Sequence, residues 1–527
     1  MTIRFPALAG LAAVVALAAC GGAGTGPTAA APLPSVAGCA PAVTLDLQPG
    51  QTAPLTSGQA ACFALSPHAG ARYALAGFDA RSMDAARTGP EPSMSGDAVF
   101  LVGDGTGTAA IAAPNLDRSL AAPAGLRYDA APDVASPFVR ATPWRVGERF
   151  PVRRVDTGES VTARVVRIMG GRYVFALVEA DEEGHTARFV SDTEKGMDVM
   201  LRDGVDLLNR TWGAGEPSTS AGSGQVLVVY SAWNPDQGAG TASTYAAADG
   251  SGVGTYVWLN LNVRPGVRDG FAMLDVPSYR LKVLAHELTH AWQMRYAYAS
   301  QAAGPRSVSF GPAWAVEGTA DLVAMEVVRR SLGIGVGTNW GWQSRLKAPN
   351  DGVTYALQPA DTRGRVSRGY YDAASFLQDV QLRMVRRGTS ADEALAQVAR
   401  GAVEGWYGVD GAGVRRTGLA ERARAVLGAG WEPADAVLLW TLTQAADDQS
   451  DAPELNNTAY ASVSDDGSDY AWKPAVGEVQ AGRSFAYQVT RAAGSSFYVR
   501  VRDDGPGGTV SLSANVAATR WMIARIR

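Results

Sequence analysis

Only four histidines occur in the 527 residues, and two of them stand four apart in Leu281–Tyr296, LKVLAHELTHAWQMRY. On a helix His286 and His290 would project from one face, a turn apart. Neutral imidazole nitrogens about 2.0–2.1 Å from a zinc ion are two corners of a tetrahedral site. Glu287 directly follows the first histidine, placed to reach a metal-bound water without ligating the metal. The chemistry this pattern predicts is hydrolysis by an activated water.

The flanking residues predict the helix that such a site needs. Pro277–Ser278 gives a start signal, and Leu281, Leu284, Leu288 and Ala291 recur at helical spacing beside the histidines. A buried helix with two hydrogen-bonded core histidines would share that periodicity; the scarcity of histidine favours the metal. A metzincin would continue with glycine and histidine where Gln293 and Tyr296 stand. No histidine follows His290, and His68 and His185 lie far upstream, so a downstream carboxylate is expected as the third ligand. Trp314–Asp321, WAVEGTAD, supplies Glu317 and Asp321 one helical turn apart. Glu317 is expected to bind the metal, and Asp321 to hold a ligand histidine by its outer N–H. Without the histidine pair, these acids would read as an ordinary surface pair; Asp321 and Glu326 are the substitutes should Glu317 not ligate.

HELTH followed by EGTAD resembles the gluzincin zinc metallopeptidases, the thermolysin-like clan, and within it the secreted bacterial hyicolysin-type enzymes. The likeness is strong over Tyr279–Val327 and thin elsewhere. It implies an α+β fold with a zincin-type peptidase domain: a mixed sheet, the HExxH helix and a helical lower lobe. It also implies one catalytic zinc held by His286, His290 and Glu317, with Glu287 as base and Asp321 behind a ligand histidine. Thermolysin places a downstream histidine near the oxyanion, and this chain has none. Arg368–Asp372, RGYYD, is similar to the tyrosine segment of other gluzincins, which makes Tyr370 or Tyr371 the candidate for that role, with helix packing the alternative. In such enzymes a strand before the zinc helix edges the cleft and pairs with an extended substrate. Thr255–Asn262 is either that edge strand or a core strand.

Around this centre the chain divides by composition. Its length exceeds one compact core, while 46% apolar and 19% charged residues mark a globular protein. A net charge of −4 gives no reason to expect a nucleic-acid surface. Short apolar or alternating runs between Gly, Pro and Asp predict an all-β module over residues 39–120, followed by a Pro/Ala-rich linker over 121–143. The peptidase domain is expected over 144–450: strands at Glu148–Val155, Thr162–Ile168, Arg172–Glu179, Gln225–Tyr230 and Thr255–Val263, and a helix within Thr193–Thr211. Helical spacing then follows over Tyr370–Val385, Ala391–Val403, Leu419–Leu427 and Pro433–Ala446. Trp340 and Trp342 fall in a loop-like stretch, to line the cleft or pack beneath it. Asp465–Asp469 lacks the full spacing of a calcium loop, so a plain turn is expected and calcium is unsupported. A second all-β module is expected over 470–527.

The first 19 residues read as a signal peptide: Arg4, then the apolar run Phe5–Ala19, too short to span a bilayer. Leu17–Cys20, LAAC, resembles the bacterial lipobox, which implies cleavage before Cys20, lipidation of its thiol and attachment to a membrane; an ordinary secretory signal is the alternative. Gly21 after that cysteine is similar to lipoproteins that pass to an outer membrane. Residues 20–38 have the composition of a flexible tether. With Cys20 lipidated, Cys39 and Cys62 remain, and in an exported chain they are expected to form a disulfide.

The sequence therefore predicts a monomeric zinc endopeptidase cutting extended polypeptide substrates outside the cytoplasm. Two other readings compete with it: a non-catalytic surface lipoprotein that keeps a zincin scaffold for binding, and a zinc hydrolase of non-peptide amides.

Overall fold

The computed structural model describes residues 39–56, 62–89, 98–103, 111–112, 142–154, 157–183, 198–214, 225–233, 240–246, 253–262, 276–300, 313–331, 370–408, 416–443, 478–481, 486–491, 494–503 and 507–527, with 60, 455 and 505. They form a mixed α+β protein with three sheets. The signal segment with Cys20, the tether, Trp340, Trp342 and Asp465–Asp469 lie outside the described residues, as do the side chains of Tyr370 and Tyr371.

The two expected β modules are one sandwich. One sheet runs, in spatial order, Thr44–Leu45, Phe63–Leu65, Gly508–Ala514, Ala98–Gly103, Ala486–Arg491 and Ile111–Ala112. The other runs Glu478–Gln480, Ser496–Asp503, Ala71–Asp79, Thr519–Arg525 and Thr52–Leu55. Ala71–Asp79 is thus flanked on both sides by strands from the far end of the chain. Strand recognition is local, whereas partner choice is not, which is why each half looked self-contained in the sequence. Phe100 packs on Phe497 at 4.7 Å and meets Trp521 edge-on at 5.7 Å, joining both termini in one core. Gly77 is required there: a Cβ would come within 2.7 Å of the Phe497 ring. The Cys39–Cys62 disulfide forms as expected, with Cα atoms 5.9 Å apart.

Alternation along Ala71–Asp79 explains how the sandwich joins the rest. Tyr73 and Leu75 enter the sandwich core, while Ala74, Ala76 and Phe78 face the helical lobe. Thr441 and Ser496 exchange a hydrogen bond of 2.7 Å across this seam. Removing residues 478–527 should therefore strand both edges of Ala71–Asp79 and expose its apolar faces. The shortened chain is expected to aggregate and lose cooperative unfolding, as read by solubility and circular dichroism; a soluble fragment with one sharp transition would contradict the merged sandwich.

The third sheet backs the helices that carry the site. Its strands are β1 (Arg149–Arg153), β2 (Ser160–Met169), β3 (Tyr173–Val178), β4 (Val226–Ser231), β5 (Gly240–Ala246) and β6 (Val253–Asn260), in spatial order β5-β6-β4-β3-β2-β1. β3, β4 and β6 are parallel to one another. β5 runs antiparallel to β6, pairing Gly240 with Leu259 through Ala246 with Val253. β6 is consequently interior, and among the described residues β5 forms the edge of the sheet.

One face of this sheet, Tyr173, Phe175, Leu177, Val226, Val228, Tyr230, Val257 and Leu259, meets the helices; the other buries Trp144, Phe150, Trp233 and Trp258. The helices are α1 (Val205–Trp212), α2 (Val276–Ser300), α3 (Ala313–Ser331), α4 (Tyr370–Arg386), α5 (Ala391–Val403), α6 (Leu419–Leu427) and α7 (Pro433–Thr443). α2 begins one residue before Pro277, which sits in the first turn where a missing N–H is harmless. Among the described residues, no helix is long and apolar enough to cross a membrane.

Candidate metal centre

α2 and α3 are buried almost all round: Leu281, Val283, Leu284, Ala285, Leu288, Ala291 and Trp292 on one, and Trp314–Val316 and Leu322–Met325 on the other, are within the core. An ionisable side chain on such a helix must find a partner or remain uncharged. Two anchors fix α2 along its axis. Trp292 donates from its indole Nε1 to Asn209 on α1 at 2.9 Å, and Tyr296 bonds Glu404 just past α5. Behind α3, Trp314 stacks on Trp406 at 4.4 Å, with the Phe376 ring 5.8 Å further on. Gly318 lets α4 approach closely; a Cβ there would lie 2.8 Å from the Ala373 Cβ. This brings the start of α4, with the backbones of Tyr370 and Tyr371, alongside α3.

Three side chains converge between α2 and α3. His286 Nε2 is 3.1 Å from His290 Nε2 and 3.2 Å from Glu317 Oε2, and His290 Nε2 is 3.5 Å from the same oxygen. Four ligands tetrahedral about zinc, each about 2.0–2.1 Å from the ion, are about 3.3 Å apart. The triangle of two nitrogens and one carboxylate oxygen has those edges, so the donor set fits a divalent ion. Of the acids considered as substitutes, Asp321 bonds the opposite edge of His286, and Glu326 is engaged by Arg329 and Arg330.

Each imidazole is held by its other nitrogen. His286 Nδ1 lies 2.6 Å from Asp321 Oδ1, the position expected for Asp321. The same carboxylate oxygen meets the buried Lys282 ammonium, one turn before His286. His290 Nδ1 lies 2.7 Å from Gln293 Oε1. Lys282 and Gln293 lie outside the HELTH and EGTAD motifs. Their spacing held the signal, four residues before one histidine and three after the other, on the ligand face.

Electrostatics follow from burial and pairing. Burial alone would raise the Asp321 carboxyl, but the Lys282 charge and His286 outweigh it and hold Asp321 below its ordinary range. Burial also opposes ionisation of Glu317, and the two imidazoles overcome it. His286, which burial would lower, is lifted to about 10 by Asp321 and Glu317. These charges favour a cation in the triangle: a proton in the metal-free network, displaced when a metal ion takes the nitrogen lone pairs.

Glu287 is different. It is only 5% exposed, its Oε2 has no hydrogen-bond partner among the described residues, and burial raises its pKa. Burial thus favours the protonated form of the Glu287 carboxyl more than water would.

The fold and centre thus define a mixed α+β protein with a buried His-His-carboxylate group that can hold a metal ion. No protein-family model and no curated protein matches the chain. Among solved structures, it is similar to an aminopeptidase N family protein from Idiomarina loihiensis, at 12% identity and a TM-score of 0.28. That alignment covers 48% of this chain, and the chain spans only 43% of the other protein. The likeness is too loose to define either fold family or activity.

Proposed function

We propose that the chain is a zinc-dependent endopeptidase of the gluzincin type, hydrolysing extended polypeptides outside the cytoplasm. The observation that carries this reading is the triangle of His286, His290 and Glu317, with the buried Glu287 beside it, whose Oε2 has no hydrogen-bond partner among the described residues. A zinc ion bound there would supply Lewis-acid activation of water and of a substrate carbonyl.

The remaining steps belong to the protein. Glu287 takes the proton of the attacking water at its carboxylate and passes it to the leaving nitrogen. Its burial suits both tasks, since a raised pKa makes the carboxylate a better base and its protonated form a competent donor. Asp321 and Gln293 keep the imidazole lone pairs pointed inward. β5, which pairs with β6 alone among the described residues, offers its other side to an extended peptide, a part that interior Thr255–Asn262 cannot play. Tyr370 or Tyr371 is assigned the oxyanion, from their place at the start of α4 beside α3. The disulfide accords with an exported protein, and lipid attachment through Cys20 is part of the same proposal.

Incubation with a chelator is expected to abolish cleavage of casein, and added zinc to restore it. Undiminished cleavage in chelator would rule out metal-dependent hydrolysis. Cleavage of small acyl-amides with casein left intact would favour the non-peptide hydrolase instead.

A further inference from the structure

The two ligand histidines are held by unlike partners: His286 by an ionised carboxylate, His290 by a neutral amide. Gln293 is fully buried, so each of its polar atoms must be satisfied within the protein. Its Nε2 lies 2.8 Å from the Val316 carbonyl and 2.7 Å from Thr319 Oγ1. The Val316 oxygen can only accept. Thr319 gives its own hydroxyl proton to that same carbonyl, at 3.2 Å, so its oxygen accepts as well. The amide orientation is therefore determined: NH₂ faces α3 and Oε1 faces His290. An amide oxygen cannot donate, so His290 must carry its proton on Nδ1, which leaves the Nε2 lone pair directed at Glu317 and His286. The contacts to Val316 and Thr319 bracket Glu317 in sequence. One side chain thus fixes the tautomer of one ligand and the backbone that presents another.

We propose that Gln293 is a positioning residue of the metal centre, setting His290 as an Nε2 donor and locking α3 so that Glu317 completes the triangle. This rests on the metal reading above and adds a determinant outside the three ligands and the base. It gives Gln293 a role different from Asp321: it orients without adding negative charge. A carboxylate at this position would keep the acceptor for Nδ1–H and lose the donors to Val316 and Thr319, whereas an aliphatic side chain of similar size would remove both.

The test uses the full chain, with wild type compared to Gln293→Leu, Gln293→Glu and His286→Ala. Zinc affinity is measured by competition with a chromogenic chelator, and ligand geometry by the visible absorption of the cobalt-substituted protein. Gln293→Leu is expected to weaken zinc roughly 10–100-fold, the usual effect of losing an outer partner, and to alter the cobalt bands. Gln293→Glu, which keeps the acceptor for Nδ1–H but loses both donors to Val316 and Thr319, is expected to weaken zinc less than Gln293→Leu and to shift the cobalt bands less. The proposal is overturned if Gln293→Leu matches wild type in affinity and spectrum, or if Gln293→Glu loses as much affinity as His286→Ala. The second comparison stands even where Gln293→Leu fails to fold. Wild type that holds no zinc, or holds it equally well with His286→Ala, overturns the metal reading itself and this proposal with it.

Discussion

Glu287→Gln is expected to lower kcat by about 10²–10⁴-fold while leaving zinc content at the wild-type level. That loss corresponds to roughly 3–5 kcal/mol of transition-state stabilisation. The substitution preserves shape and removes only the ability to take a proton. It also separates catalysis from stability. Burial raises the Glu287 pKa in the folded protein, so its ionisation opposes folding once pH rises above the carboxylate's unfolded value. Glutamine has no charge to bury, and the melting temperature of the variant should therefore be equal or higher at neutral pH. Activity assays, metal analysis and thermal melts on one preparation check all three statements. A variant as active as wild type would remove Glu287 from the mechanism.

The second large effect is expected at Glu317. Glu317→Ala removes one vertex of a triangle whose edges are 3.1, 3.2 and 3.5 Å. Zinc affinity should fall by more than the 10–100-fold typical of an outer-partner loss, because a ligand itself is gone. Neither Asp321 nor Glu326 can substitute without rebuilding the site: Asp321 is committed to His286 Nδ1 and Lys282, and Glu326 to two arginines. Dialysis followed by metal analysis reads the result. Full retention would mean that the ion sits elsewhere.

Much of the centre could be read from spacing because its geometry is local. His286 and His290 share a helical face by arithmetic alone, and Glu317 and Asp321 repeat that pattern on the next helix. Ala391–Val403 and Leu419–Leu427 have the bounds their apolar periodicity predicts, and the first of these is capped by Ser390, whose side chain accepts from the Glu393 N–H. What the sequence concealed was non-local. β5, GTASTYA, lacks the alternation of large apolar residues that marks a strand, since an edge strand need not bury both faces. The single sandwich depends on pairing between residues more than 400 apart, such as Tyr73 with Val501 and Arg525, which no window of sequence contains. Gln293 looked merely like the wrong residue for a metzincin. Its meaning depends on the Val316 carbonyl and Thr319 hydroxyl brought against it by another helix.

The central claim is that two imidazoles and one carboxylate surround a single ion. X-ray absorption at the zinc edge of the zinc-loaded protein tests it most directly. The expected spectrum has a first shell of nitrogen and oxygen at about 2.0–2.1 Å with outer-shell scattering from two imidazole rings. A spectrum with no imidazole contribution, or a protein that takes up no zinc at all, would contradict it.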